Sequence, residues 1–339
     1  MDSGRDFLLA SFVTSTWGQW EHSWHQRTPM AAARRPERTD GLPIERHGLL
    51  AVLDLSDGKW IWQMPLDSPA GFVFVDDFLL VASQQGSRVH SFSPNLTQRL
   101  PISHPLMNDL HSVSRTERGI LITSSGTDAL LELSLAGQLI WGWFATEHGY
   151  CLDPAGRRRR IARSRDYRDV LIRTGDQATH CNSATTVTGS DNTPRILLLL
   201  FHQGEVVEIE YATGKHRVVL DGLINPHSLR HLGDGGWCLT SSGANAIIKL
   251  SPNYWIESII EADFDWPQDA LWIEDREVII ADANNSRIVR WDLLASAPSD
   301  EYVFDSDWKI YQIEFVNRNW VDLVKDRPEP LVDFGVADE

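Results

Sequence analysis

"HSVSRTERGILITSSGTDALLELS", residues 111–134, decides the fold once it is set beside "HSLRHLGDGGWCLTSSGANAIIKLS", residues 227–251. Both open on His-Ser and continue as a polar-dotted strand. Both then turn, enter a second run that ends in Thr-Ser-Ser-Gly, and finish on a third alternating run. Short runs of apolar or β-branched residues broken by Gly, Asp, Asn and Ser are strands joined by tight turns. Helical periodicity is weak throughout.

The same pattern recurs outward in both directions. "GFVFVDDFLLVASQQGSRVHSFS" starts at Gly71, "NSATTVTGSDNTPRILLLLFHQGEVVEIE" at Asn182 and "QDALWIEDREVIIADANNSRIVRWD" at Gln268. Repeats of about 40 residues with four strands each are propeller blades, and a ring of them buries the faces that a single blade leaves open. The ends supply one more blade. The C-terminal "WKIYQIEFV" joins the N-terminal "DFLLASFV", "HGLLAVLDL" and "KWIWQMPL". The chain therefore reads as all-β: a six-bladed β-propeller over 1–317, closed by pairing of the N- and C-terminal strands. Insertions near 14–46 and 145–177 are expected over one mouth, and the tail 318–339 on the rim. The competing arrangement is a β-sandwich or a pair of β domains.

Composition narrows the function. The 339 residues are 42% hydrophobic and 23% charged, with a net charge of −16. An acidic globular chain lacks the basic face that nucleic acid demands. No run of about 18 apolar residues suggests a membrane span, and "MDSGRDFLLASFVTSTW" is a poor signal peptide. Three cysteines without CxxC spacing read as free thiols. A cytoplasmic enzyme or binding protein with neither nucleic-acid nor membrane partners is expected.

"ADANNSRIVRWD", residues 281–292, resembles the NHL-type repeat strand, with Asp282, Asn285 (or Asn284) and Arg287-Ile288 in the family order. The resemblance covers the propeller repeats. It extends to the six-bladed superfamily of NHL-repeat, SMP-30/gluconolactonase, strictosidine-synthase-like and arylsulfotransferase-like proteins, and it implies the fold more than the function. "THCNSA", residues 179–184, is similar to the His-x-Asn-Ser stretch of the arylsulfotransferase-like members. This implies group transfer through a channel histidine. The arginine that those members carry after the next strand is replaced here by the neighbourhood of His202.

The first strand of each blade lines the axis, and residues i and i+2 share a face. Alignment of the repeats puts His111, Asn182, His227 and Gln268 at one level, with Gly71 and Gln312 completing it. Asp109, His180, Asn225 and Trp266 stand two residues earlier, toward one mouth. Cys181, between two such positions, points to the core. Three neutral imidazoles could hold a divalent transition metal (Zn, Fe or Cu) and leave a position open. His111, His180 and His227 are the expected metal and catalytic set, assisted by Asn182 and Gln268. Asp109, Asn225 and Trp266 are expected to contact substrate. No nucleotide cofactor is expected.

Two loops add candidates. "GRRRRIARSRDYRDVLIR", residues 156–173, gathers arginines, of which Arg168 with Tyr167 could hold an anionic substrate. Trp17, Trp20, Trp24, His22 and His25 in the N-terminal insertion could wall an aromatic pocket. The expected function is an enzyme acting on a small molecule, anionic or aromatic, in the channel, by metal-assisted lyase, hydrolase or oxidative chemistry in a biosynthetic setting. The alternatives are arylsulfotransferase-like transfer and a non-catalytic binding propeller.

Overall fold

Each sheet of the repeat has two apolar faces, and the structure buries each against a different neighbouring sheet. The computed structural model describes residues 5–14, 48–189, 192–304 and 308–326. Its strands form six four-stranded antiparallel sheets. Blade I combines β24 (Trp308–Val316) with β1 (Phe7–Thr14), β2 (Gly48–Asp54) and β3 (Lys59–Pro65). Blade II begins at β4 (Pro69–Val75), continues with β5 (Phe78–Ser83) and β6 (Arg88–Phe92), and ends at β7 (Gln98–Ile102). Blade III comprises β8 (Leu110–Arg115), β9 (Ile120–Ser124), β10 (Ala129–Leu133) and β11 (Leu139–Phe144). Blade IV runs from β12 (Cys181–Thr188) through β13 (Pro194–Leu200) and β14 (Glu205–Glu210) to β15 (His216–Leu220). Blade V holds β16 (Pro226–His231), β17 (Trp237–Ser241), β18 (Ala246–Leu250) and β19 (Ile256–Glu261). Blade VI holds β20 (Pro267–Ile273), β21 (Glu277–Asp282), β22 (Arg287–Asp292) and β23 (Ala297–Val303).

The innermost strands β24, β4, β8, β12, β16 and β20 touch in turn and close a ring. Pairing of Phe7 with Val316 through Val13 with Lys309 joins the two ends of the chain in blade I, as the sequence predicts. Alternation then builds the cores. Phe7 and Leu9 of β1 enter the core shared with blade II, whereas Leu8 and Ala10 enter the one shared with blade VI. Six apolar clusters result, one at each blade interface. Each fully buried Leu, Ile, Val or Phe contributes on the order of 1.5–3 kcal/mol.

Polar stitches add direction to this packing. In the two Thr-Ser-Ser-Gly copies, Thr123 Oγ1 donates to Asn182 O and Ser125 Oγ to Cys181 O. Likewise Thr240 Oγ1 donates to Gln268 O, and Ser242 Oγ donates to Pro267 O at 2.7 Å. Each copy thus ties its own second strand to the innermost strand of the next blade. The NHL-like residues serve a turn: Asp282 accepts from Asn285 Nδ2 at 2.9 Å, Arg287 Nε at 2.7 Å and Asp265 N at 2.8 Å.

After β24 the chain forms helix α1 (Arg318–Val324), capped by Asn317, whose Oδ1 accepts from Trp320 N at 2.8 Å. Trp320, Val321 and Val324 complete the core between blades I and II. Residues 327–339 of the expected tail and all but the first residue of the expected 14–46 insertion lie outside the described residues. With the latter go Trp17, Trp20, Trp24, His22 and His25. The three cysteines are free, with Cys181 and Cys238 buried. Among the described residues no helix is long and apolar enough to cross a membrane.

Candidate channel site

Five of the six blades open their innermost strand on a left-handed residue: Ser68 (φ 38°), Asp109 (52°), His180 (49°), Asn225 (48°) and Trp266 (61°). Asp, Asn and His tolerate this conformation; for a bulky Trp it is unusual. It is held by stitches from the preceding blade. Asp128 Oδ1 accepts from Thr179 N at 2.8 Å, and Asn245 Oδ1 accepts from Trp266 N at 3.0 Å.

Two residues further on, each innermost strand slips out of register with its neighbour. On β8 the ladder jumps from Leu110 to Val113, on β16 Ser228 is skipped, and on β20 Gln268 is skipped. This irregularity places His111, Asn182, His227 and Gln268 at one level, and all four are buried. The remaining two positions differ from the sequence expectation by one residue. On β4 the ladder jumps from Pro69 to Phe72, so Ala70 matches His111 and Gly71 matches Ser112. On β24 Tyr311 is the skipped residue. Gln312 instead straps β24 to β4, its Oε1 accepting from Phe72 N at 2.9 Å and its Nε2 donating to Phe72 O at 2.8 Å. Gly71 is required there, because a Cβ would meet His111 O and Ser112 Cα at 2.8 Å.

The three histidines share a hydrogen-bonding logic. His111 Nδ1 lies 3.1 Å from Asp109 O, His227 Nδ1 lies 3.0 Å from Asn225 O, and His180 Nδ1 lies 2.6 Å from Gln177 Oε1. A carbonyl only accepts, so each Nδ1 carries the proton and each Nε2 keeps its lone pair. Ser125 Oγ and Ser242 Oγ add contacts to Nδ1 of His111 and His227 at 3.0 and 2.8 Å. Gln177 is itself oriented by donating from Nε2 to Asp109 Oδ2 at 2.7 Å. Gln84 Nε2 meets His111 Nε2 at 3.3 Å.

Burial keeps the His180 and His227 rings neutral. The His180 pKa falls well below 6.5, first through desolvation and then through the neighbouring His111, His202 and His227. His227 is pushed down to about 3 by burial and by His111, against the pull of Asn225 O. Neutral imidazole is the form that ligates metal or accepts a proton.

The rings of His111 and His180 stand 4.3 Å apart, centre to centre. With Asp109 they form a group whose potential ligand atoms all lie within 4.8 Å of one another; among the described residues no other group of three is so arranged. His227 shares Phe201 with His180: the Phe201 ring is 4.7 Å from His180 and 5.3 Å from His227. Trp266 lies 5.5 Å from His227 and donates from Nε1 to Gln268 Oε1 at 3.0 Å. Asn225 contributes its backbone carbonyl.

Tyr167 and Arg168 are not brought to these groups. Tyr167 is buried between blades II and III, and its hydroxyl accepts from Ala162 N at 2.8 Å. Arg168 holds Asp166 through Nε at 3.0 Å and a second nitrogen at 2.6 Å. The insertion instead reaches the channel through Gln177, which the sequence reading passed over. That reading also missed Gln84 and Phe201. Both, like Ser125 and Ser242, immediately follow the second strand of a blade. The repeat alignment already carried this signal.

No protein-family model matches the chain, and no curated protein matches it. Solved structures do. A protein of unknown function from Bacteroides caccae aligns with a TM-score of 0.57 at 12% identity, over 91% of this chain and 98% of that one. A chain of the nidogen/laminin complex aligns with a TM-score of 0.54 at 13% identity, over 91% and 97%. Virginiamycin B lyase from Staphylococcus aureus aligns with a TM-score of 0.48 at 11% identity, over 70% of each chain. Likeness at such identities is likeness of fold.

Proposed function

We propose that this propeller is an enzyme acting on a small molecule in its central channel, with a divalent transition metal (Zn, Fe or Cu) held by Asp109, His111 and His180. The observation that carries this reading is the fixed tautomer of the three channel histidines. Their Nδ1 protons are committed to carbonyl acceptors, so their Nε2 lone pairs are the ones a ligand would take, at His111 in place of the Gln84 amide. Metal-ligating histidines are characteristically oriented in this way by a hydrogen bond from the other ring nitrogen. When bound, such an ion would acidify a water or polarise a substrate carbonyl.

The chain's own groups would supply the rest. His227, neutral and packed like His180 against Phe201, offers Nε2 to a substrate as a hydrogen-bond acceptor. Gln177 holds the His180 ring and the Asp109 carboxylate in one geometry. Phe201 and Trp266 form the apolar wall against which a small molecule lies. Lyase, hydrolase and oxidative chemistry are all compatible with this set.

A metal-free reading has one observation in its favour. The 2.6 Å bond to Gln177 leaves His180 Nε2 as a desolvated nucleophile, the arrangement that arylsulfotransferase-like transfer would use. Elemental analysis after reconstitution with Zn²⁺, Fe²⁺ and Cu²⁺ separates the two. The metal reading expects one equivalent per chain, lost in His111→Ala and His180→Ala and retained in His227→Ala. It fails if no metal binds stoichiometrically. A covalent adduct on His180 after incubation with an aryl sulfate would then favour the transfer reading, and its absence the non-catalytic one.

A further inference from the structure

We infer that the channel takes an uncharged aromatic molecule that presents a carbonyl oxygen to Tyr311 and Asn182. This rests on the channel being the functional site, not on a metal being bound in it.

Tyr311 occupies the blade I position of the inner level. The blade II position holds Ala70, followed by Gly71, and over these small residues the Tyr311 ring approaches His111 of blade III to 5.8 Å between centres. Asn182 follows on blade IV. Tyr311 of blade I thus reaches past blade II to His111 of blade III, and Asn182 stands on the next blade at the same level. The Tyr311 hydroxyl is buried without a hydrogen-bond partner, and so is Asn182 Nδ2. Leaving a buried polar group unsatisfied costs about 1–3 kcal/mol. Two in one level of a channel point to an absent acceptor. A tyrosine phenol carries its proton near neutral pH and can donate. Asn182 Nδ2 is likewise a donor, and an oxygen with two lone pairs satisfies both.

The walls define the remainder of the ligand. Phe201 and Trp266, both partly exposed, bring their ring centres to 6.4 Å at an angle of 52° and present apolar faces beside His227. Neither a bare anion nor a bare cation suits the Asp109 carboxylate and the two unpaired donors together. An anion would meet the Asp109 carboxylate, and the guanidinium groups of Arg157, Arg159, Arg163 and Arg168 in the insertion between blades III and IV are engaged with Asp153, Asp128, Glu147 and Asp166. A cation would leave both unpaired donors unsatisfied.

Ligand-observed NMR with four probes of one shape tests this: 2-acetylnaphthalene, 2-ethylnaphthalene, 2-naphthoate and 2-naphthylmethylammonium. The ketone should bind about tenfold more tightly than the hydrocarbon, the equivalent of one hydrogen bond. Tyr311→Phe and Asn182→Ala should each reduce that preference, and Tyr311→Phe should fold with unchanged or higher stability. The inference is overturned if either charged probe binds best or if the hydrocarbon equals the ketone. It is also overturned if Tyr311→Phe destabilises the fold and leaves ketone binding untouched, since an ordered water would then be the phenol's partner. Ketone binding by protein that elemental analysis shows to be metal-free supports this inference while removing the metal from the proposed function.

Discussion

His111 and His180 face each other at 4.3 Å and 80° although they stand at different levels of adjacent innermost strands. Strict strand alternation would set Asn182, not His180, beside His111. The left-handed backbone at His180 changes this, with its amide and that of Thr179 directed to Asp128. Gln177, from outside the repeat, fixes the ring. The closest pair of potential ligands in the channel therefore depends on a stitch from blade III and a loop between blades III and IV.

Gln177 is accordingly a positioning residue. Gln177→Leu should fold, and should weaken Zn²⁺ binding by about 10- to 100-fold, the usual cost of losing an outer partner of a ligand. Competition with a chromophoric chelator reads this directly. Unchanged affinity would separate the Gln177 contact from any metal site.

The two Thr-Ser-Ser-Gly copies allow a controlled comparison. Ser125→Ala and Ser242→Ala each remove a bond to the next blade and a partner of a histidine Nδ1. Each should cost about 1–3 kcal/mol in urea denaturation. Only Ser125→Ala touches His111, so it alone should also lower metal affinity.

Buried neutral histidines make stability depend on pH. Burial and the nearby Arg88 push His90 down to about 4, and His227 falls to about 3. Above pH 6.5 neither state binds the proton. As pH falls below 6.5 the unfolded chain takes it up and the folded one does not, so metal-free protein loses on the order of 1.4 kcal/mol per pH unit for each such group. The loss from His90 should level off near pH 4. Denaturation at pH 7.5, 6 and 5 should show falling stability, with a shallower fall in His90→Gln.

Arg230 forms a half-buried cluster among the innermost strands, around the buried Asp269. It binds Asp269 through Nε at 2.8 Å and a second nitrogen at 2.6 Å, and Glu314 at 2.7 Å. Arg230→Met would leave the fully buried Asp269 carboxylate without its cation, at a cost of about 3–5 kcal/mol. The double variant Arg230→Met/Asp269→Leu should recover part of that loss. Thermal unfolding of the two variants, side by side, measures the difference.

The blades were legible because their signal is local. The 23–29-residue stretches at Gly71, His111, Asn182, His227 and Gln268 each carry their own strand pattern and turns, and the end strands supply the missing sixth unit. His111, Asn182, His227 and Gln268 also come to one level, because alternation along an innermost strand is a local property. Tyr167 and Arg168 do not. Their partners, Ala162 N and Asp166, come from the conformation of an irregular loop without a period to follow.

The sequence by itself determined the all-β class, the six blades, their closure through residues 7–14 and 308–316, and the polar character of the axis. Each follows from runs and repeats that hydrophobic burial converts into strands wherever they occur. Only the tertiary structure decided that Tyr311 and not Gln312 takes the inner level, that Phe201 packs against both His180 and His227, and that Gln177 joins His180 to Asp109. The physical reason is that a one-residue slip in a strand ladder exchanges the faces of its side chains. Such slips, like the left-handed residues beside them, are set by hydrogen bonds between blades far apart in the chain.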